Sequence, residues 1–438
     1  MCYALVSITS HNTYPMPQFR ITGGTPLRGD VTISGRKNAA LKLLAASLLT
    51  TGTTTLSHVP QIGDVLVMAE ILRALGATVT QDGETFTIDA SSISTSEIPY
   101  ELGRKLRASL VLVGPLLARF GEAHFPHPGG CVIGKRSIEP HLEGFKRLGA
   151  TVTFDGTYYH LSAPALTGQQ IYLQEKSVTA TENIMMAAVR ASGTTHLINA
   201  AEEEHISNLA ELLRKYGYTV TGDGSSQVMV TGSSELSTRN AEITIIPDEI
   251  EIGTFAVAAL VTGGEVTLHK VGKRFGLLPL LAKLEDFNAQ FTYNEETETL
   301  SIHPSPDLKA ADVQTNPWPG FFPDLQSPFV VLATQSKGKA EIHDWMYEGR
   351  LGFVELLERM GAHATICDPH RVVIEGPTKL KGASNIAPDL RAGAALVLAA
   401  LAASGESLIE KVELIDRGYV SLDERLRNLG AHIIREED

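Results

Sequence analysis

The chain is short of several things that whole classes of protein require. Three cysteines in 438 residues (Cys2, Cys131, Cys367) are too few and too scattered for a disulfide framework or a structural zinc site. Basic residues are in deficit: 37 Lys and Arg against 50 Asp and Glu leave a formal net charge of -13. That balance argues against a nucleic-acid protein, because a phosphate backbone demands a basic surface. No apolar run is long enough to span a bilayer, so no membrane role is expected. Residues 1–18 have neither a charged n-region nor a long apolar core, so they do not read as a signal peptide. They are expected to form a loose extension, and the expected setting is cytoplasmic. With 20% charged and 43% hydrophobic residues the chain is not disordered and can bury a large core. Its length suits two large domains or one repeat assembly.

What the sequence does have begins at Ser34-Gly35-Arg36-Lys37-Asn38-Ala39-Ala40, which runs into Leu41-Lys42-Leu43-Leu44-Ala45-Ala46-Ser47-Leu48-Leu49. The second half is a strong helix former that is apolar almost all round, the signature of a buried core helix. Ser34 is the expected N-cap, with Gly52 just past the last turn. Arg36 and Lys37 stand where the helix dipole already puts positive charge, which costs stability. Two readings are open: a solvated basic turn, or a helix end at which an anion sits.

The same design returns at intervals of roughly 70 residues. An apolar helix with a polar first turn and a closing glycine runs from Lys37 to Gly52, Arg107 to Gly121 and Thr181 to Gly193. It runs again from Glu251 to Gly263, Asp324 to Gly338 and Asp389 to Gly405. A second, amphipathic helix closes at Gly76, Gly149, Gly217, Asn288, Gly361 and Gly430 and is followed by a strand. Glycine tolerates the left-handed backbone at a helix C′ position, and asparagine is its usual substitute. Short strand patterns lie between the helices, for example Thr53 to Leu56 and Thr194 to Ile198, with hairpin-like pairs such as Thr151 to Phe154 and Tyr158 to Leu161. A helix that is apolar on all sides must be enclosed by several units, and three units in each of two domains would enclose it.

Each apolar helix is expected to carry its polar residues at the N-terminal end alone: Lys37 and Asn38, Arg107, Thr181 and Glu182, Glu251 with Asp248 and Glu249, Asp324, and Asp389 with Arg391. If those ends share a cleft, their dipoles sum to a field that favours an anion. Ordinary capping explains Asp324 and Asp389 but not Lys37 or Arg107. A second informative stretch, Phe125-Pro126-His127-Pro128-Gly129-Gly130-Cys131-Val132-Ile133-Gly134-Lys135-Arg136, is a loop by its proline and glycine content. A cysteine in such a loop, beside Lys135 and Arg136, is expected to be exposed and of altered reactivity, whereas Cys2 and Cys367 are not candidates.

The motifs Ser34-Gly35-x-Lys37-Asn38-Ala39-Ala40, Arg107-Ala108-Ser109, Pro128-Gly129-Gly130-Cys131-x-Ile133-Gly134-x-Arg136, Pro388-Asp389-Leu390-Arg391-Ala392 and Ile415-Asp416-Arg417-Gly418-Tyr419 resemble the enolpyruvyl transferases from about Phe19 to Asp438. Within that family the resemblance is to the branch whose acceptor is UDP-N-acetylglucosamine. It implies an α/β fold, a two-domain inside-out barrel of six repeated folding units. The chain would cross between domains near Gly35 and near Pro247, with residues 36–246 forming one domain and 19–35 with 247–438 the other. The implied reaction moves the enolpyruvyl group of phosphoenolpyruvate to the sugar 3′-hydroxyl and releases phosphate, the first committed step of peptidoglycan precursor synthesis. The resemblance implies neither cofactor nor metal, and a monomer is expected.

The resemblance also implies roles. Lys37, Arg136 and Arg417 match phosphate-side cations, and Arg350, Asp389, Arg391 and Arg417 lie in motifs that meet phosphoenolpyruvate from the other domain. Arginine suits such work because its planar fork binds carboxylate and phosphate oxygens in pairs. Asp324 matches the base for the 3′-hydroxyl and Cys131 the acid for C3. Asn38, Arg107, Ser137-Ile138-Glu139-Pro140, Glu175-Lys176-Ser177-Val178 and Met346 align with nucleotide-sugar contacts. The sequence departs from the family pattern at Pro323, beside the base, at Glu175 where a cation is expected, and at Thr179 where glycine is expected; Arg36 and Lys42 are unusual in the first motif. Two alternatives remain beside the leading reading: an enolpyruvyl transferase with a different acceptor, and a nucleotide-sugar-binding paralogue without catalysis.

Overall fold

The structure is a computed structural model that describes residues 17–129 and 137–437. Its α-helices among those residues are α1 (Lys37–Ala46), α2 (Gly63–Ala74), α3 (Tyr100–Lys105), α4 (Val113–Phe120), α5 (Glu139–Arg147), α6 (Val178–Ala188) and α7 (Glu204–Lys215). They continue as α8 (Glu249–Thr262), α9 (Arg274–Asp286), α10 (Gln326–Gln335), α11 (Val354–Arg359), α12 (Leu390–Ala402) and α13 (Leu422–Asn428). Helices α1, α4, α6, α8, α10 and α12 are buried along most of their length, as a helix apolar on all faces must be. Short 3₁₀ segments, Arg107–Leu112 and Pro323–Leu325, precede α4 and α10.

Six small sheets surround these helices among the described residues, five of four strands and one of three. The expected strands form, including Thr53–Ser57, Thr194–Ile198, and the pair Thr151–Phe154 with Tyr158–Ser162. All six amphipathic-helix endings adopt the left-handed conformation. Gly76, Gly149, Gly217, Gly361 and Gly430 have φ between 95° and 107°, and Asn288 takes φ 57° in the same place.

Two separate cores result. One is built from residues between Ala39 and Ile245, the other from Phe19–Ile33 together with residues between Ile250 and Ile433. In the second core α8, α10 and α12 pack against one another. The strand Gln18–Thr22 lies between Glu406–Glu410 and His432–Glu436, antiparallel to both. Gln18 was assigned to the loose extension by the sequence and instead opens this strand. The chain passes between cores twice, and the two passes pair. Gly35 bridges Pro247, Arg36 N–H donates to Ile246 O at 2.7 Å, and Asp248 N–H donates to Ser34 O at 3.0 Å. A Cβ on Gly35 would overlap the carbonyl of His58, so only glycine allows this approach.

Two expectations need correction. Ser34 does not cap α1: the N-cap position is Arg36, without a side-chain cap, and Ser34 N–H donates instead to Glu251 Oε2 at 2.9 Å. Polar residues are not confined to helix N-termini, since Lys42 and Glu182 are both enclosed within the first core, where they stand 3.3 Å apart. Each neutralises the other, which is how two charges persist away from water.

The helix endings yield a direct test. A Cβ at Gly430 would meet nothing within 4 Å, so only the left-handed backbone opposes substitution there. Gly430→Ala is expected to cost about 1 kcal/mol in urea denaturation. Gly430→Asn should lose clearly less, as the chain's own use of Asn288 indicates.

Candidate active site

The first turn of α1 holds no acid, so nothing on that helix neutralises Arg36 and Lys37. Their partners come from elsewhere. Asp248 caps α8 by accepting from Ile250 and Glu251 N–H through Oδ1, and its Oδ2 accepts from Lys37 N–H at 3.3 Å. Arg36 forms an ion pair with Glu249 in the first turn of α8, and both side chains are buried. The reading of this stretch as a solvated basic turn therefore fails.

Lys37 Nζ pairs with Asp64 Oδ2 at 2.6 Å, and Asp64 Oδ1 accepts from Arg417 Nε at 2.9 Å. Asp64 sits in the first turn of α2, and the adjoining Gly63 N–H donates to Asp416 O at 3.2 Å. The Asp416–Arg417 segment of the second core is thus docked on the start of a helix from the first. Burial pushes the Lys37 ammonium below its ordinary value; Arg391 and Arg417 push the same way, while Asp64 opposes them. Four elements converge on one point: α1, α2, α12 and the Arg417 turn.

Asp324, in the 3₁₀ turn before α10, lies between two arginines. Arg350 Nη2 donates to Oδ1 at 2.5 Å and Arg391 Nε to Oδ2 at 3.0 Å. Arg350 is also 3.9 Å from Asp344, whose side chain is 0% exposed. Burial pushes the Asp344 carboxyl above its ordinary value against the pull of Arg350. Asp344 further accepts from Thr315 Oγ1 and from the N–H groups of Met346 and Tyr347, which ties the Met346 turn to the same carboxylate. The Arg391 guanidinium lies 5.3 Å from the Tyr419 ring centroid, and Tyr419 Oη is 2.9 Å from Thr254 Oγ1 of α8. Asp389 caps α12 through Arg391 and Ala392 N–H, the ordinary role the sequence allows it. Pro323 occupies the first position of its turn, where a missing N–H leaves no bond unmade.

The remaining candidates gather at helix starts of the first core. Arg107 opens the 3₁₀ segment before α4, Ser137 and Ile138 precede α5, Glu139 and Pro140 begin it, and Ser177 caps α6 by accepting from Ala180 N–H. These starts are tied together inside the core. Asn183 accepts from Gly114 N–H at 2.7 Å, and its Nδ2 donates to Leu110 O at 2.8 Å. The same Nδ2 lies 3.0 Å from His141 Nδ1. His141 Nε2 lies 3.0 Å from Thr179 Oγ1, so the residue standing where glycine is expected supplies a hydrogen-bond partner. Burial drives His141 down to about 3, with Arg107 and Lys42 acting in the same direction, so its ring is neutral. Glu175 is exposed, and Lys176 is held by Glu202 at 2.5 Å.

A family model for EPSP synthase (3-phosphoshikimate 1-carboxyvinyltransferase) matches residues 21–426. The chain is 44% identical to UDP-N-acetylglucosamine 1-carboxyvinyltransferase 2 of Carboxydothermus hydrogenoformans, over 97% of this chain and 100% of that one. The chain belongs to the UDP-N-acetylglucosamine 1-carboxyvinyltransferase family of enolpyruvyl transferases. The family's Desulfatibacillum aliphaticivorans enzyme of the same name is also 44% identical, over 96% of this chain and 100% of its own. Among solved structures, the enolpyruvyl transferase NikO from Streptomyces tendae superposes with a TM-score of 0.87 at 27% identity, covering 96% of this chain and 99% of that one. EPSP synthase from Acinetobacter baumannii, at 21% identity, TM-score 0.74, and coverage of 96% and 100%, shares the fold. Of the family-motif residues named from the sequence, Gly130, Cys131, Ile133, Gly134 and Arg136 lie outside the described residues.

Sequence reasoning passed over Asp64, Asp344 and His141, and quoted Tyr419 in a motif without giving it a role. Asp64 carries only the signal of an acid in a helix first turn, and its partner Arg417 lies 353 residues away. The Arg350 pairs are testable. Arg350→Leu leaves Asp344 buried without its cation, and should cost about 3 kcal/mol in denaturant at neutral pH. The loss should shrink in acid, because a protonated Asp344 needs no counter-charge. Losing Arg350, which pulls against burial, raises this carboxyl further, so the variant's native state binds the proton more tightly than the parent's and recovers stability as pH falls.

Proposed function

We propose that this protein transfers the enolpyruvyl group of phosphoenolpyruvate to the 3′-hydroxyl of UDP-N-acetylglucosamine and releases phosphate, the entry step of peptidoglycan precursor synthesis. The reading rests on full-length relatives of that name together with one observation, the convergence of Lys37, Arg350, Arg391 and Arg417 on two carboxylates. Its framework is an inside-out barrel of two domains, 36–246 and 19–35 with 247–438. The paired passes at Gly35 and Pro247 and the two separate cores support that division.

The chemistry assigns the groups. Forming an ether at C2 of phosphoenolpyruvate requires a base at the sugar hydroxyl and a proton at C3. Loss of phosphate and of a C3 proton then restores the double bond. Asp324 is the base and Cys131 the acid. Lys37, Arg136 and Arg417 hold the phosphate, while Arg350 and Arg391 hold the carboxylate side. Asn38, Arg107, Ser137–Pro140, Glu175–Val178 and Met346 receive the nucleotide sugar, with Asp389 fixing the α12 end that carries Arg391. The substrate also readies the base. Both carboxylate oxygens of Asp324 are engaged by arginines. An arriving phosphoenolpyruvate competes for those arginines and leaves Asp324 available for the hydroxyl proton.

Phosphate release from phosphoenolpyruvate, measured with and without UDP-N-acetylglucosamine, tests the assignment. Release should require the acceptor and fall by about 10²-fold or more in Asp324→Ala and in Cys131→Ala. Binding of the sugar nucleotide without release would favour a non-catalytic paralogue. Failure to bind it would mean that the altered Glu175 and Pro323 surroundings select another acceptor.

A further inference from the structure

Lys42 and Thr179, two residues unusual for their motifs, both find partners in a buried polar system centred on adjacent residues of α6. Lys42 Nζ is 3.3 Å from Glu182 Oε2, with side chains 3% and 0% exposed. His205 Nε2 of α7 is 3.5 Å from the other oxygen, Oε1. The neighbouring Asn183 links α6 to the Leu110 carbonyl, to Gly114 of α4 and to His141 of α5, and His141 meets Thr179. Glu182 and Asn183 together therefore reach the elements of the first core whose starts carry the substrate groups assigned above: α1 with Lys37 and Asn38, the Arg107 segment, and α5. Helix α6 itself is capped by Ser177.

Stability does not account for the Lys42–Glu182 pair. Removing both charges from water costs several kcal/mol per ion, and apolar side chains of similar volume usually serve a core at least as well. Helix α1 packs chiefly on α2 and α7, and α6 on α4 and α5, so the ion pair adds a fixed separation between two helices that direct contact does little to hold. We propose that Lys42 and Glu182 are a positioning pair, setting α1 against α6 so that Lys37 and Asn38 face the substrates in register with the sugar-binding start of α6. The inference rests on the functional reading above.

A second line of support is electrostatic. Glu182 is faced by Lys42 and Arg36 from α1, by His205 from α7 and by Glu203 just before it, while His141 of α5 faces Lys42. Burial pushes the Glu182 carboxyl up to about 7, with Lys42 opposing. The same burial drives His205 well below its ordinary value, so its ring is neutral. The ion pair is thus complete above neutrality and lost below it. Folding runs the other way. The native state holds this proton more tightly than the unfolded chain, so the Glu182 contribution to stability is greatest below its ordinary value and falls as pH rises through the window up to about 7. A structural role and a positioning role consequently predict opposite pH trends.

The experiment compares the parent with Lys42→Met/Glu182→Leu and with Glu182→Gln, following melting temperature and steady-state constants for phosphoenolpyruvate between about pH 6 and about pH 8. The double variant should melt no lower than the parent, yet show a KM for phosphoenolpyruvate about tenfold higher. In the parent that KM should rise as pH falls through neutrality by more than the substrate phosphate's own titration at about pH 6 produces, and in Glu182→Gln it should be high, with the substrate's titration alone remaining. A folded double variant with the parent's KM would overturn the proposal. If the double variant does not fold, a Glu182→Gln profile that follows the parent's overturns it instead. A parent that releases no phosphate with UDP-N-acetylglucosamine present would sink the functional reading rather than this one.

Discussion

The structure depends on a meeting of two helix N-termini that ought to repel. Helices α1 and α8 start side by side where the chain passes between its cores, and each brings the positive end of a macrodipole. Arg36 and Lys37 add two cations at the same place. The arrangement holds because acids are concentrated against it. Asp248 caps α8 and also accepts from the backbone of α1, Glu249 pairs with Arg36, Glu251 holds Ser34 and Arg425, and Asp64 takes the Lys37 ammonium. Helix α1 has no cap of its own and uses the cap of its neighbour. Lys37 is therefore fixed as much by the second core as by the first, and a shift of α8 carries its backbone along.

The same logic explains why the candidate site is built from carboxylate-bridged cations rather than free ones. Asp64 joins Lys37 to Arg417, and Asp324 joins Arg350 to Arg391. Without these acids, the four cations would destabilise the fold by mutual repulsion, and Lys37 already loses basicity to burial and to Arg391 and Arg417. An anionic substrate must then exchange with carboxylates already in place. The exchange weakens binding relative to bare cations, and under the proposed assignment it frees Asp324 from Arg350 and Arg391.

Local signals made much of this legible beforehand. A glycine closing an amphipathic helix announces a left-handed residue whatever the rest of the chain does, so five glycines and Asn288 could be placed without knowing the tertiary structure. An all-round apolar helix likewise announces its own enclosure. Ser34 misled because capping was judged from type and position, whereas the backbone of residues 34–36 is taken up by pairing with 246–248. Lys42 was visible as an oddity without a cause, since its partner is on another helix 140 residues later. Asp64 was invisible for the same reason. Polar pairs across cores depend on the finished topology and leave no periodicity to read.

The overall charge bears on how such a site can work. At -13 the molecule repels both anionic substrates from a distance, although beyond about 8 Å physiological salt screens most of that field. Net charge therefore supplies no long-range steering, in contrast to proteins that collect anions with a basic surface. Recognition has to be made at contact, by groups whose positions are set in advance. That requirement favours guanidinium forks held by buried partners over mobile surface lysines, and it gives the interior pairs their purpose. Arg350 between Asp324 and Asp344, and Arg391 between Asp324 and Tyr419, are each held by two partners. The entropy of ordering those side chains has been met during folding rather than at binding.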